Sequence, residues 1–254
     1  MGEPPPARLV VKDGQKLMKK KSIIAPISLL ALAASVSLSL TILNIVSAQE
    51  RVSFPTEDGG LIYADLYGKG DRAIVLAHGG RFNKESWEKQ AQVMAKAGFR
   101  VLAIDFRGYG QSKGPGQADP LSAPLHLDVL AAVRYLRQAG ARGVSIVGGS
   151  MGGTAAAQAS VEANAGEIDR LVLLASGAIE KPEQMKGRKL FITARSDIGP
   201  GDKPRLPKIR EQYERAPDPK ELIILDGSAH AQVIFTTEQA DRLMREILRF
   251  LYEP

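Results

Sequence analysis

The chain predicts an α/β fold, a three-layer sandwich in which helices cover a mostly parallel eight-stranded sheet entered through an antiparallel hairpin. Three observations predict it. Apolar runs of strand length alternate with stretches of helical spacing from residue 72 to the end. Those runs are apolar at successive positions, the mark of strands covered on both faces. Polar–apolar alternation, the mark of a one-sided strand, is confined to "RVSFPT" and "LIYADLYG" around the turn "EDGG".

The elements follow in order. After the hairpin, "RAIVLAHGG" is a buried strand ending in glycines. Residues 84–98 are helical through Trp87, Ala91, Met94 and Ala95, with Gly98 as the stop. "RVLAIDFRGYG" is a second buried run. Residues 124–140 are helical through Leu125, Val129, Ala132, Val133 and Leu136. "VSIVGG" is a strand running into the alanine-rich helix "TAAAQAS". "IDRLVLLASG" and "RKLFITARSD" are further strands, residues 202–216 an exposed amphipathic helix, and "KELIILDGSAH" the last strand with its loop. The closing helix carries Leu243, Ile247 and Leu251 on one face, with Thr237 as its expected N-cap.

Charge is concentrated at one end. The formal net charge is +6, but residues 1–48 hold +4 of it, so the remainder is near neutral and gives no electrostatic support for nucleic-acid binding. Lys19 to Lys21, an apolar run over 23–46 and the small-residue site Val46-Ser47-Ala48 read as an export signal starting at Met18. The run is also long enough to anchor the chain uncleaved in a membrane through residues 23–47. The expected division is residues 1–48 as extension plus signal or anchor and 49–254 as the folded domain, exported to the periplasm or medium or held at the membrane. Cysteine is absent, which excludes a disulfide framework, a thiolate metal site and a cysteine nucleophile. The three histidines, His78, His126 and His230, lack metal-site spacing, and no metal is expected.

In a parallel sheet, ligands bind beyond the carboxyl ends of the strands. Gly79, Arg107, Ser150, Gly177, Asp197 and His230 all stand just after predicted strands and should gather along one edge. Gly148-Gly149-Ser150-Met151-Gly152 fits the G-x-S-x-G strand–turn–helix that exposes a serine nucleophile. Gly148 and Gly152 should make room for the turn, Gly149 should tolerate more change, and Gly153 should let the helix pack close. A serine hydroxyl needs a base, and His230 is the single histidine after Ser150. Asp197, at a strand end, is the expected orienting acid. Asp202, Glu180 and Asp226 are alternatives that read more simply as solvated turn residues. The backbone N–H groups of Gly80 and Met151 are the expected oxyanion donors. His78 and His126 read as structural or surface residues. Arg81 and Trp87 lie near the mouth, either shaping substrate choice or serving as a solvated charge and a packing ring. No cofactor is expected: there is no P-loop, and "DFRGYGQSKGPG" fails the dinucleotide pattern at Lys113.

"LAHGG", "AIDFRGYGQSKG", "GGSMGG", the strand-end Asp197 and "GSAH" together resemble the α/β-hydrolase superfamily over about residues 51–254. Within the D-x-R-G-x-G-x-S segment, Asp105 and Arg107 are then scaffold. "HGGRF…ESW" is loosely similar to small capless esterase-like members. The chain departs from the pattern at Ala194, where the family often has glycine three residues before its acid. Only about ten residues separate "LLASG" from "RKLFI", too few for a cap domain. The resemblance implies a serine hydrolase cleaving small esters or thioesters through an acyl-enzyme. A peptidase or amidase on the same triad, or a non-catalytic binding protein on this scaffold, are the alternatives.

Overall fold

The structure, a computed structural model, describes residues 49–116 and 122–253. Strands β1 (Glu50–Pro55) and β2 (Leu61–Tyr67) pair antiparallel from Glu50–Leu66 to Pro55–Leu61. Their turn closes through Thr56 N–H on Gly60 O, with Gly59 at φ +89, a left-handed conformation that favours glycine. Then follow β3 (Arg72–Ala77), β4 (Arg100–Ile104), β5 (Gly143–Gly149), β6 (Arg170–Leu174), β7 (Arg188–Ala194) and β8 (Lys220–Leu225). The sheet order is β1-β2-β4-β3-β5-β6-β7-β8, antiparallel at the first two pairings and parallel at the other five.

Ala73–Ala77, Val101–Ile104, Val144–Gly149 and Leu171–Leu174 are buried at every successive position. Both faces of the central sheet are therefore covered, as consecutive apolar runs require. The covering helices are α1 (Glu88–Lys96), α2 (Leu125–Gln138), α3 (Met151–Glu162), α4 (Leu206–Arg215) and α5 (Ala240–Tyr252). Helix α3 packs on β5, β6 and the neighbouring α2, while α1 packs on β4 and α4 on β7. Between β6 and β7, the sole helical piece is a short 3-10 turn, Pro182–Gln184, so no cap is inserted there.

Three helix starts differ from the expected ones. Helix α1 begins at Glu88, not 84, because Lys84–Trp87 forms a separate 3-10 turn. Thr237 does not cap α5: its hydroxyl donates to Ile234 O at 2.8 Å and accepts from Gln239 N–H at 3.2 Å, closing a turn, and Gln239 is the N-cap. Helix α4 begins at Leu206, not 202, because Asp202 at φ +55 and the extended Lys203 at φ −89, ψ 128 are not helical. Pro207 sits in the opening turn of α4, where its missing N–H has no partner to lose. The segment 23–47, read as signal or anchor, lies outside the described residues, as does Met18. Among the described residues, no helix is long and apolar enough to cross a membrane.

Arg107 and Asp105 hold the carboxyl edge of the sheet together. The Arg107 guanidinium bonds Asp128 of α2 at 2.8 Å and Asp58 of the hairpin turn at 2.6 Å. Hydrogen bonding to Arg107 holds the Asp58 carboxyl down at about 2. Asp105 accepts Lys84 N–H at 2.8 Å, fixing the loop after β3. Both residues are nearly inaccessible and serve the scaffold.

Candidate active site

Ser150 follows β5 directly and caps α3, with φ +51 and ψ −113. A non-glycine residue in that region costs about 1–3 kcal/mol of strain and persists only where its surroundings enforce it. Here they do: Ser150 N–H donates to Leu174 O at 2.8 Å, and Thr154 N–H donates to Ser150 O at 2.9 Å. The turn is tight enough to need glycine on both sides. A Cβ on Gly148 would lie 2.5 Å from Gly152 O, and one on Gly152 would lie 2.2 Å from Ala77 O. A Cβ on Gly149 would approach a movable side chain, Gln232, at 3.1 Å, and one on Gly153 would press on Gly148 O and Ser176 at 3.0 Å.

Three of the sequence-derived residues meet in a hydrogen-bonded line. His230 Nε2 lies 2.8 Å from Ser150 Oγ, and His230 Nδ1 lies 2.7 Å from Asp197 Oδ2. The carboxylate can only accept, so Nδ1 carries the proton and Nε2 is left to accept from the serine hydroxyl. Asp197 is 1% exposed, while His230 is partly open to the cleft. The competing acids are elsewhere: Asp202 and Glu180 are exposed, and Asp226 faces Arg195 at 3.6 Å on the surface. The alanine at position 194 ends β7 without displacing Asp197.

Gly80 and Met151 flank the same serine. Met151 N–H is the first donor of α3, where the helix dipole is positive. Gly80 stands beside it, since a Cβ there would be 3.6 Å from Met151 Sδ. The peptide unit that carries Gly80 N–H is held at its other end: Gly79 O accepts from His78 Nδ1 at 2.8 Å and from Phe82 N–H at 3.0 Å. His78 Nε2 accepts Phe106 N–H at 3.2 Å, so the ring is neutral with both nitrogens used. Burial pushes its pKa down. His78 is thus structural, and His126 is half-buried in the first turn of α2, paired with Glu162 at 3.0 Å.

Residues not singled out in the sequence also enter the site. Gln232 is buried two positions after His230; its Oε1 accepts Gly79 N–H at 2.7 Å, and its Nε2 donates to Ser86 Oγ at 3.0 Å. Tyr109 donates its hydroxyl to Gly80 O at 2.9 Å. Arg205 Nε lies 3.6 Å from Asp197 Oδ1. Trp87 is fully buried and packs edge-on against Phe235 at 5.9 Å, so it is a packing ring and not part of the mouth. Arg81 does line the cleft, a cavity of about 560 Å³ that also exposes Ser150, His230, Met151, Ile198 and Val233. Among the described residues, no group of three or more His, Asp or Glu side chains could hold a metal ion.

Such an arrangement can lower the barrier to attack by Ser150 on a carbonyl, with a base, an orienting acid and backbone donors around it. Residues 72–195 match the family described as alpha/beta hydrolase fold. Residues 72–195 thus carry the α/β-hydrolase family pattern. The chain superposes on the Pyrococcus furiosus esterase Pf2001 with TM-score 0.66 and 21% identity, over 80% of this chain and 93% of that one. It superposes on an esterase from Exiguobacterium antarcticum with TM-score 0.64 and 14% identity, over 80% and 100% of the two chains. These identities speak for the fold alone. In sequence, it is 32% identical over 123 residues to the AB hydrolase superfamily protein YisY of Bacillus subtilis, 48% of this chain and 44% of the relative. It is 32% identical over 117 residues to a non-heme haloperoxidase of Rhodococcus erythropolis, 46% and 41% of the two chains. The matches thus span less than half the length of these curated relatives.

Proposed function

We propose that the protein is a small, capless serine hydrolase that cleaves carboxylic esters or thioesters through an acyl-enzyme. The observation that carries this reading is the line Ser150 Oγ–His230 Nε2–Nδ1–Asp197 Oδ2, at 2.8 and 2.7 Å. Ser150 Oγ attacks the carbonyl carbon as His230 Nε2 takes the hydroxyl proton, and Asp197 stabilises the imidazolium. The carbonyl oxygen becomes an oxyanion facing Gly80 N–H and Met151 N–H. On collapse, His230 returns the proton to the leaving alcohol or thiol. Water then repeats the sequence on the acyl-enzyme, releasing the acid and restoring Ser150 Oγ–H.

The same chemistry limits what transfers from other superfamily names. An epoxide opened by a serine oxygen would leave an ether, which this machinery has no carbonyl to hydrolyse, so the reading excludes epoxide opening by Ser150. Amide cleavage uses the same steps, but the cleft has no inserted cap between β6 and β7 to hold a peptide. We also propose that residues 1–48 export the domain, with cleavage after Ala48. N-terminal sequencing of the extracytoplasmic protein should begin at Gln49; a start at Met1 or Met18 would mean retention of the segment.

A fluorophosphonate probe tests the reaction class. The folded protein should acquire one adduct, on Ser150, and Ser150→Ala should abolish both the adduct and the hydrolysis of short esters. Folded protein that turns over no ester and takes no label at Ser150 would sink the reading.

A further inference from the structure

The cleft carries charge that the proposed reaction does not use. Two arginines line it, Arg81 from the loop after β3 and Arg205 from the segment entering α4. Apart from Ser150 and His230, the other wall side chains are apolar, Phe82, Met151, Ile198 and Val233 among them, and no carboxylate faces the space. Asp197 lies behind His230, buried, and Asp202 is exposed on the same loop without reaching the wall.

Neither guanidinium is fully engaged among the described residues, Arg205 having a single long ion pair. Arg81 is exposed and forms no ion pair with any described residue. Arg205 faces Asp197 Oδ1 at 3.6 Å, beyond hydrogen-bond reach, and both its buried Nε and that oxygen lack a hydrogen-bond partner. Asp197 spends its other oxygen on His230. A planar, weakly hydrated guanidinium in a partly apolar concavity is suited to a planar carboxylate, which it can bind in a two-pronged fashion. Like charges on one cleft also raise the local concentration of anionic ligand. An uncharged ester would offer these N–H groups neutral acceptors but neither a counter-charge nor the paired oxygens of a carboxylate.

Resting on the serine-hydrolase reading, we propose that the cleft selects esters or thioesters carrying a carboxylate, with Arg205 and Arg81 as the specificity-determining residues. Either half of the substrate could present the anion, and matched pairs resolve which: the monoaryl ester of adipic acid against its terminal carboxamide, and the acetyl ester of para-hydroxybenzoate against that of para-hydroxybenzamide. In at least one pair, kcat/KM for the carboxylate member should exceed the neutral one by about tenfold or more at low salt. That ratio should fall several-fold in Arg81→Gln, a surface substitution unlinked to folding, and to about one in the Arg81→Gln/Arg205→Gln double variant. Arg205→Lys should restore only part of it, keeping charge without the fork. Ratios at or below one in both pairs, or a ratio that neither variant lowers, would overturn the inference. The fluorophosphonate adduct separates the two failures: labelled enzyme without a carboxylate preference loses only this inference, whereas unlabelled, inactive enzyme loses the hydrolase reading and this inference with it.

Discussion

Gln232 Oε1 accepts Gly79 N–H at 2.7 Å, so the loop bearing the proposed base is bonded directly to the turn bearing a proposed oxyanion donor. The amide is buried and its other end is taken by Ser86. Gln232 therefore fixes the separation of two loops that the sequence places more than a hundred residues apart.

Gln232→Leu removes the acceptor and leaves a buried N–H unpaired. The turn should lose its orientation and kcat should fall about tenfold to a hundredfold, below the loss expected for deleting an oxyanion donor outright. KM should change by less than about threefold, since the effect is on the transition state. A variant that keeps kcat while losing thermal stability would show a purely structural role.

Asp197→Asn should lower kcat by about four orders of magnitude, because the amide holds the wrong tautomer of His230. Asp202→Asn should stay within about twofold, as an exposed side chain distant from the imidazole. Steady-state kinetics on one ester decides between them, and comparable losses would reassign the orienting acid.

Burial holds the His78 imidazole below its ordinary value of 6.5. The unfolded ring takes up a proton that the folded one refuses. This contribution to stability is complete above about pH 6.5 and declines as pH falls, by at most about 1.4 kcal/mol per pH unit, until the folded ring itself titrates. Urea unfolding between about pH 7 and 5.5 should show the decline, and His78→Asn should flatten it. A slope equal in both proteins would exclude His78 as its source.

Gly152→Ala should destabilise by about 3 kcal/mol or more, because its Cβ would meet backbone that cannot move aside. Gly149→Ala should be milder, about 1 kcal/mol, since it displaces a side chain. Its activity should fall further than its melting temperature suggests, because the side chain displaced is Gln232. Thermal melts beside kinetics check both; equal stability losses would mean that the two approaches are equally tight.

The sheet was legible because its strands are apolar at successive positions and its turns are rich in glycine, both properties of short contiguous sequence. Ser150, His230 and Asp197 were legible because each follows a strand, and chain order leaves one histidine. Gln232 and Arg205 were not, since nothing nearby in sequence marks a glutamine that bonds Gly79 or an arginine that lies against Asp197. Trp87 stayed open between two readings for a related reason: its place beside the mouth in sequence says nothing of which way the ring turns, and it turns inward, as a packing ring. Thr237 looked like a cap because it precedes an apolar stripe, yet its hydroxyl is used one turn earlier.

The two hydrogen bonds received by Gly79 O have an electronic consequence. Donors on an amide oxygen draw density away from its nitrogen, so the N–H at the far end of that peptide becomes a stronger donor, by about 10–30% per bond. Gly80 N–H is that far end. In the proposed reaction, the acidity of one backbone amide is then tuned by a histidine that never touches the substrate, and the neutral state of His78 becomes an inductive setting for the charge that the cleft can hold.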